Sequence, residues 1–309
     1  SCLLNREGIL ESGLTTSHGL GVQVTIDNDG KMTSSYQGDS SRTKMVDVPE
    51  CVELAVEWAV RTQNPIEVEQ GASDAPVLMT SEGFSPLFSM VVPPAMMGEK
   101  LVRKESFWTG KMDQKVMSKD LSIVDNGLLE GGFSSGSRDG EGVPKRKQSL
   151  VESGRLVNML WSTRDAAQQV AEGRIDVAQS TGSAVSRGHQ SPPSTGASEL
   201  MMTSAKGSQT FDQMLERMGD GYVVNGVMGA HTANPTSGDF SVTTSSILRV
   251  VDGEIIGPLK QAGLSGNLAK ALAGNVVLGD DVRRQGSYSS GSMHLPDVLL
   301  MEGLRVNPA

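Results

Sequence analysis

The chain has 309 residues, of which 37% are hydrophobic and 20% are charged, a balance that excludes a disordered protein. Its net charge of −9 disfavours binding to nucleic acid or to anionic membranes, because an acidic surface repels phosphate. No stretch reaches the ~20 apolar residues that a membrane-spanning helix needs. Cys2 and Cys51 form no pairing motif and the first residues show no signal-peptide pattern, so a cytoplasmic protein is expected.

The first 75 residues predict a hairpin followed by a helix. Residues 21–26 alternate aliphatic and polar side chains, and Asn28-Asp29-Gly30 is typical of a hairpin turn. Residues 49–62 have an amphipathic pattern with Pro49 in the first turn, which predicts a helix against a core. Because the chain opens on what looks like the middle of a sheet, residues 1–75 are interpreted as the remnant of an N-terminal α/β domain.

The middle of the chain predicts short strands and helices. Ser85-Pro86 is expected to start a helix that Pro93-Pro94 limits to about two turns. Residues 125–150 predict a long ordered loop or hairpin, and residues 180–198, which include His189, predict a surface loop. The other predicted elements are strands at 77–79, 121–124 and 156–161 and a helix over 163–171 capped by Thr163.

The last hundred residues predict mainly β structure. Thr210 and Gln213 form a capping-box pattern for a helix that ends at Gly219. Residues 240–251 alternate and then meet Asp252-Gly253, a hairpin signal. A short helix over 264–273 and strands at 276–278 and 298–306 complete the pattern. The predicted fold class is α+β, with a hairpin-plus-helix remnant and a mainly antiparallel β domain with short helices over residues 76–309.

Motifs that carry chemistry are missing from the sequence. It contains no phosphate-binding P-loop and no dinucleotide-binding glycine pattern. Zinc needs three or four converging ligands, yet His18, His189, His231 and His294 form no closely spaced pair. The adjacent carboxylates Asp280-Asp281 would point in opposite directions on a strand, so a solvated turn or a capping role is expected for them.

An ordered set of segments nevertheless resembles a known family. The segments are 139–156, 180–188, 219–242 (which contains TSGDFSV), 250–267 (which contains DGEI and LSGN) and 276–286. Together they resemble the C-terminal domain of the TldD/PmbA metalloprotease family, whose members have also been described as modulators of DNA gyrase. The resemblance covers most of the chain, from about Pro76 to the end, and the ordered set is far more specific than any one segment.

This family works as a pair of similar subunits, and the resemblance places the chain with one of them. TldD carries H-E-x-x-x-H on a helix and a downstream cysteine, which hold zinc, whereas PmbA, also called TldE, lacks them. Here the corresponding segment, 81–90, contains no histidine, and residues 284–292 contain no cysteine. The resemblance therefore implies a PmbA/TldE-like subunit without metal or catalytic residues of its own, zinc only in a TldD-like partner, and unfolded peptides as substrate.

Two other functions stay open at this point. One is a metal-independent peptidase, for which Ser85, Ser237 and His231 would be the first candidates. The other is a non-enzymatic binding protein that pairs with itself as a homodimer instead of forming a heterodimer. Residues for a peptide groove or an interface are Gly229, His231, Thr236, Gly238 and Asp239, which form the glycine-rich loop of the most specific motif. The alternative for them is a turn that needs positive φ at its glycines.

Overall fold

The structure is a computed structural model that describes residues 2–4, 8, 10–186, 188, 190–286 and 291–308. The strands are β1 (Cys2–Leu4), β2 (Leu10–Ser12), β3 (His18–Asn28), β4 (Lys31–Ser41), β5 (Ser73–Asp74), β6 (Val77–Met79), β7 (Leu121–Asn126), β8 (Lys147–Glu152), β9 (Arg155–Leu156), β10 (Ala184–Val185), β11 (Ser194–Thr195), β12 (Glu199–Ser204), β13 (Gly221–Met228), β14 (Asp239–Val251), β15 (Glu254–Pro258), β16 (Ala262–Asn267), β17 (Val276–Gly286), β18 (Ser292–Leu300) and β19 (Leu304–Pro308). The helices are α1 (Val48–Arg61), α2 (Ser81–Ala95), α3 (Gly98–Val102), α4 (Thr163–Ala171), α5 (Phe211–Met218) and α6 (Leu268–Ala273).

One large sheet organises the C-terminal part of the molecule. Its strand order is β5-β19-β16-β14-β13-β6-β18-β12-β7-β8-β9, with β15 paired to β14 and β17 paired to β18. Among the described strands, β12 with β18 and β13 with β6 are its parallel pairs, and the other pairs run antiparallel. The predicted α+β fold with a mainly antiparallel β domain is therefore confirmed.

A hairpin and a helix form what we call the N-terminal layer, residues 18–61. Strands β3 and β4 pair from His18 opposite Ser41 to Asn28 opposite Lys31, and Asp29 and Gly30 turn the chain at φ 52° and 81°. Helix α1 is capped by Asp47, which accepts a hydrogen bond from the Glu50 amide. These elements confirm the predicted hairpin and helix. The predicted domain boundary at residue 75 stays a prediction, and β5, just before it, pairs with β19.

Helix α2 lies at the centre of the core and is longer than predicted. It begins at Ser81, with Thr80 as its N-cap, and continues through Pro86, Pro93 and Pro94 to Ala95. The prediction that it starts at Ser85 and stops after about two turns is wrong. Nearly all its side chains are buried, and burial of apolar surface outweighs the few amide hydrogen bonds that the prolines remove.

Three further predictions are corrected by tertiary packing. The segment predicted as a helix over 264–273 is strand β16 up to Asn267, which then caps α6. Of the strand predicted over 156–161, only Leu156 lies in β9, and the cap of α4 is Ser162 rather than Thr163. The first segment differs from its prediction because β16 pairs with β14 and β19, which lie far along the chain.

The segment 180–198, predicted as a surface loop, is buried at its two ends, while most of its described middle residues are exposed. Residues 181–184 and 195–198 are buried, and β10 pairs with β11 inside it. His189 lies outside the described residues. Asp280 and Asp281 are exposed, but they lie within β17 at an irregularity of its pairing with β18, not in a turn. In the described part of the chain, no helix is both long and apolar enough to cross a membrane.

Candidate functional site

A polar groove of about 580 Å³ lies between the N-terminal layer and the large sheet. One wall is the end of β4 with the first half of α1, and the other is the last part of β17. Residues 129–133 close one side, and Glu82 at the start of α2 and His294 on β18 contribute polar side chains. We call this feature the groove. It joins five stretches of chain that are far apart in sequence.

The N-terminus of α2 is crowded with carboxylates. The Ser81 amide donates to Asp297 Oδ1 at 2.8 Å, and Gln37 Nε2 donates to Glu82 Oε2 at 3.2 Å. Burial raises the pKa of Glu82. Burial, with the nearby charges of Asp281 and Glu82, raises the pKa of Asp297 to about 7. Near neutral pH, the Asp297 carboxyl therefore exchanges a proton with solvent.

Arg283 is the positive charge among these carboxylates. Its Nε donates to Asp281 Oδ2 at 2.7 Å, and its Nη2 donates to Glu50 Oε1 at 3.2 Å. Its charge also lowers the pKa of Glu82 and Asp297, although burial outweighs it for both carboxyls. Arg283 thus pairs directly with Asp281 and Glu50 and offsets part of the negative charge of Glu82 and Asp297.

The side chains at the start of α2 do not fit a zinc ion. If Glu82 stands for the glutamate of H-E-x-x-x-H, Ser81 and Pro86 stand where its two histidines would be. Proline offers no ligand atom, and a serine hydroxyl is not among zinc's usual ligands. Across residues 2–4, 8, 10–186, 188, 190–286 and 291–308, no group of three or more His, Cys, Asp or Glu side chains is arranged to hold a metal.

A histidine–glutamate pair borders the groove. His294 Nε2 lies 3.0 Å from Glu199 Oε2, and the Glu199 side chain is fully buried. Glu199 Oε1 also accepts a hydrogen bond from the Ser134 amide at 2.6 Å. The carboxylate thus fixes both the imidazole and the loop beside it. Our sequence interpretation treated His294 as isolated and missed Glu199, although a glutamate opening the apolar run Glu199-Leu200-Met201-Met202 is itself a signal of a buried partner.

The glycine-rich loop singled out in the sequence lies outside the residues that line the groove. Gly229 has φ 87° and precedes a short 3₁₀ turn over residues 230–232. His231, in that turn, is exposed. A positive φ is a conformation that glycine adopts without steric cost, so the geometry at Gly229 matches the turn alternative. A role in binding peptide or partner stays a prediction.

The second half of that loop is held by its own hydrogen bonds. Asn234 Oδ1 accepts the Thr236 amide at 2.9 Å. Gly238 has φ 84° and its amide donates to the Asn234 carbonyl. Asp239 Oδ1 accepts from Asn267 Nδ2 at 2.7 Å, and the Ser237 hydroxyl and the Asn267 amide lower the pKa of Asp239. These bonds join the TSGD and LSGN segments, because Asn267 donates to both Ser237 and Asp239.

Comparisons with known proteins agree with this architecture. A family model described as the PmbA/TldA metallopeptidase C-terminal domain matches residues 72–307. The chain is 26% identical to Metalloprotease PmbA of Escherichia coli O157:H7 over 295 residues, which is 95% of this chain and 60% of that protein. It is 29% identical over 264 residues to an uncharacterized protein of Methanocaldococcus jannaschii, covering 84% of this chain and 59% of that protein.

Solved structures share the fold. TldE from Thermococcus kodakarensis superposes with a TM-score of 0.87 at 22% identity, covering 99% of this chain and 66% of that one. A Thermotoga maritima MSB8 protein described as a candidate modulator of a DNA gyrase superposes with a TM-score of 0.82 at 26% identity and the same coverage. The chain spans about three fifths of the length of the curated relatives it matches. By its matched domain and its fold, the chain belongs to the PmbA/TldD metallopeptidase family.

Proposed function

We propose that this chain is a PmbA/TldE-like, non-catalytic subunit of a TldD-type zinc metalloprotease that cleaves unfolded peptides and peptide precursors. The observation that carries the proposal is the side-chain set at the start of α2, where Ser81 and Pro86 flank Glu82 at the spacing of the family's metal motif. Arg283 supplies the local positive charge there instead. In this proposal zinc is bound in the cytoplasmic TldD-like partner, and this chain contributes shape and charge.

The chain's own residues would act by positioning. The groove has carboxylates, arginines and a fixed imidazole along one polar surface. Such a surface can hold a peptide by hydrogen bonds and charge without breaking any bond in it. An unfolded peptide offers its main chain for pairing, which favours little sequence preference. Folded proteins would be excluded because their main chain is already paired.

The two alternative functions, a metal-independent peptidase and a homodimeric binding protein, remain proposals with less support. For a metal-independent peptidase, Ser85 is buried on α2 and the Ser237 hydroxyl accepts the Asp239 amide at 3.3 Å. Each serine is thus placed as a structural residue would be. A homodimeric binding protein would bind peptide but would show no proteolysis, either alone or mixed with a TldD-type protein. The following experiment measures this proteolysis directly.

The test compares three preparations in one assay. The chain, a TldD-type protein from the same source, and their mixture are assayed for casein hydrolysis, zinc content and molecular mass in solution. The matched control is the same mixture made with a TldD-type protein whose motif glutamate is replaced by glutamine. We expect no zinc and no activity from the chain alone, activity from the mixture, and none from the control mixture.

Other outcomes have equally definite meanings. Stoichiometric zinc together with hydrolysis by the chain alone would overturn the proposal and make this chain the protease. Hydrolysis without zinc would favour the metal-independent alternative, and alanine at Ser85 or Ser237 would then identify the nucleophile. A stable homodimer that neither binds nor activates the TldD-type protein would favour the binding-protein alternative.

A further inference from the structure

The N-terminal layer is attached to the large sheet in two different ways at its two ends. Near the C-terminal end of α1, Trp58 is buried in an apolar cluster with Leu78, Met214 and Leu299. Just beyond the helix, the Ile66 amide donates to the Pro258 carbonyl at 2.8 Å. This end is held by apolar burial, which screening by salt does not weaken.

The opposite end, beside the groove, is held by polar contacts, several of which converge on one arginine, Arg284. Arg284 Nη2 donates to the Ser40 carbonyl at 2.6 Å and lies 3.3 Å from Asp39 Oδ1. The same guanidinium lies over the Phe133 ring, 4.1 Å from its centroid. Arg284 therefore joins β17, the end of β4 and the loop at residues 129–133. Three walls of the groove meet at a single side chain.

Little apolar packing supports the layer at this end. From residue 37 to residue 47, all of which the structure describes, Val46 is the one buried apolar side chain. Met45 in the same stretch is 84% exposed. The neighbouring contacts are polar as well, namely Glu50 with Arg283 at 3.2 Å and Gln37 with Glu82 at 3.2 Å. The Glu50–Arg283 ion pair is partly exposed, and a pair of this kind is weak and is screened by salt.

We propose that residues 37–47 form a gate over the groove, which pivots near Trp58 and is latched by Arg284. When the latch opens, the end of β4 and the loop at residues 129–133 separate and the buried part of the groove around Cys51 becomes accessible from solvent. The apolar end stays in place, so opening is a local motion and not an unfolding of the molecule. This proposal concerns access to the groove only, and it does not depend on which ligand the groove binds.

A native thiol reports the state of this gate. Cys51 lines the groove and is 6% exposed, and burial raises the pKa of its thiol. Reaction with a maleimide is therefore slow while the gate is closed, because the reagent needs both access and thiolate. A Cys2→Ser background leaves Cys51 as the one cysteine in the chain. The labelling rate of Cys51 at fixed pH then measures how often the gate opens.

The deciding comparison is Arg284→Gln against Arg174→Gln. Arg174 pairs with Glu172 on the exposed surface and does not line the groove, so its variant controls for loss of one positive charge. We expect Arg284→Gln to raise the Cys51 labelling rate by about tenfold, the value of one charge-assisted hydrogen bond. Arg174→Gln should leave the rate within about twofold.

The dependence of the Cys51 labelling rate on salt concentration provides a second test, in protein that retains Arg284. Raising salt from about 0.1 M to about 1 M shortens the screening length from ~10 Å to ~3 Å. Labelling of Cys51 should rise severalfold with Arg284 present and barely change in Arg284→Gln. Equal rates in the two arginine variants, with unchanged melting temperatures, would overturn the gate. If Arg284→Gln fails to fold, Asp39→Asn, which removes one contact of the latch, gives the same comparison.

Discussion

At the scale of single residues, the informative group is the carboxylate set at the start of α2. Glu82 and Asp297 have raised pKa values chiefly because burial penalises their charged forms. One cation, Arg283, faces both of them and Asp281. Buried carboxyls with raised pKa values beside a groove are typical of a functional surface, and the charge of Asp297 changes near neutral pH.

Replacing Asp297 by asparagine should stabilise the protein at alkaline pH. The folded-state pKa is about 7 against an ordinary value of 3.8, so the folded chain holds a proton that the unfolded chain releases. Stability therefore falls as pH rises between those two values and levels off above the higher one. Asparagine keeps an oxygen for the Ser81 amide and removes this penalty. We expect a gain of about 1–3 kcal/mol in the free energy of unfolding near pH 8.

The measurement is urea unfolding at several pH values. The difference between Asp297→Asn and the parent should shrink towards zero at about pH 4. Asp280→Asn, an exposed carboxylate on β17, is the matched control. A parent protein that gains stability from pH 5 to pH 8 through Asp297 would contradict the assignment.

At the scale of elements, α2 illustrates close packing that a pattern of residue types does not reveal. Gly83 lies in its first turn against β13, where an added Cβ would come within 2.4 Å of the Val224 carbonyl oxygen. The helix is positioned by this approach and by its cap, since Thr80 Oγ1 also lies 2.7 Å from Asn225 Oδ1. One strand therefore fixes both the start and the depth of the helix that borders the groove.

Gly83→Ala should destabilise the fold. Alanine in a helix normally gains about 1 kcal/mol over glycine, but here the methyl group meets backbone that cannot move aside. We expect a loss of about 1–3 kcal/mol, measured by thermal unfolding. Gly136→Ala is the control, because the nearest atom to its added Cβ is 3.9 Å away. A higher melting temperature for Gly83→Ala would show that α2 can shift away from β13.

The long loop after β7 is a second element whose order comes from buried charge. Lys145 Nζ donates to Ser198 Oγ at 2.8 Å and to the Ser134 carbonyl. Burial lowers the pKa of Lys145, and burial raises the pKa of Asp125 beneath it. In a poorly solvated site, each of these opposite charges offsets the desolvation penalty of the other, and loss of one would leave the other buried without compensation. The loop that carries Phe133 is therefore anchored beside that residue by Lys145 and Glu199, and it contacts Arg284 through the Phe133 ring.

At the scale of the whole molecule, the N-terminal layer meets the large sheet through the buried Trp58 at one end and through polar contacts of Arg283 and Arg284 at the other. The layer has its own pairing and its own helix, but its apolar contact with the sheet is concentrated at that indole. Arg61 lies over the Trp58 ring at 5.3 Å from its centroid and covers it from solvent. Loss of the indole should therefore release the layer before the sheet unfolds.

Trp58→Ala is expected to lose about 3–5 kcal/mol in the stability of the layer. Hydrogen exchange followed by mass spectrometry should show faster exchange in residues 18–61 and little change in β13, β14 and β18. Val60→Ala, on the same helix and 52% exposed, is the control and should alter neither region. Equal acceleration throughout the chain would mean that layer and sheet unfold as one unit.

The sequence by itself determined the local structure and the family. The hairpin turn at Asp29-Gly30, the amphipathic α1, the capping box of α5 and the long strand β14 all follow from short-range patterns, because their causes lie within a few residues. The ordered motifs identified the family, and the missing histidines at residues 81–86 were visible without coordinates.

Only the tertiary structure decided the length of α2, the strand identity of β16 and the composition of the groove. Pro86 and Pro93 predict a short helix when only the local sequence is considered. The free energy that stabilises the longer helix comes from burying it against residues that are distant in the sequence. The groove joins β4, α1, α2, β17 and β18, and no spacing rule relates Ser40 to Arg284 or Glu199 to His294. Contacts across such separations depend on how the elements pack, which a local sequence pattern does not encode.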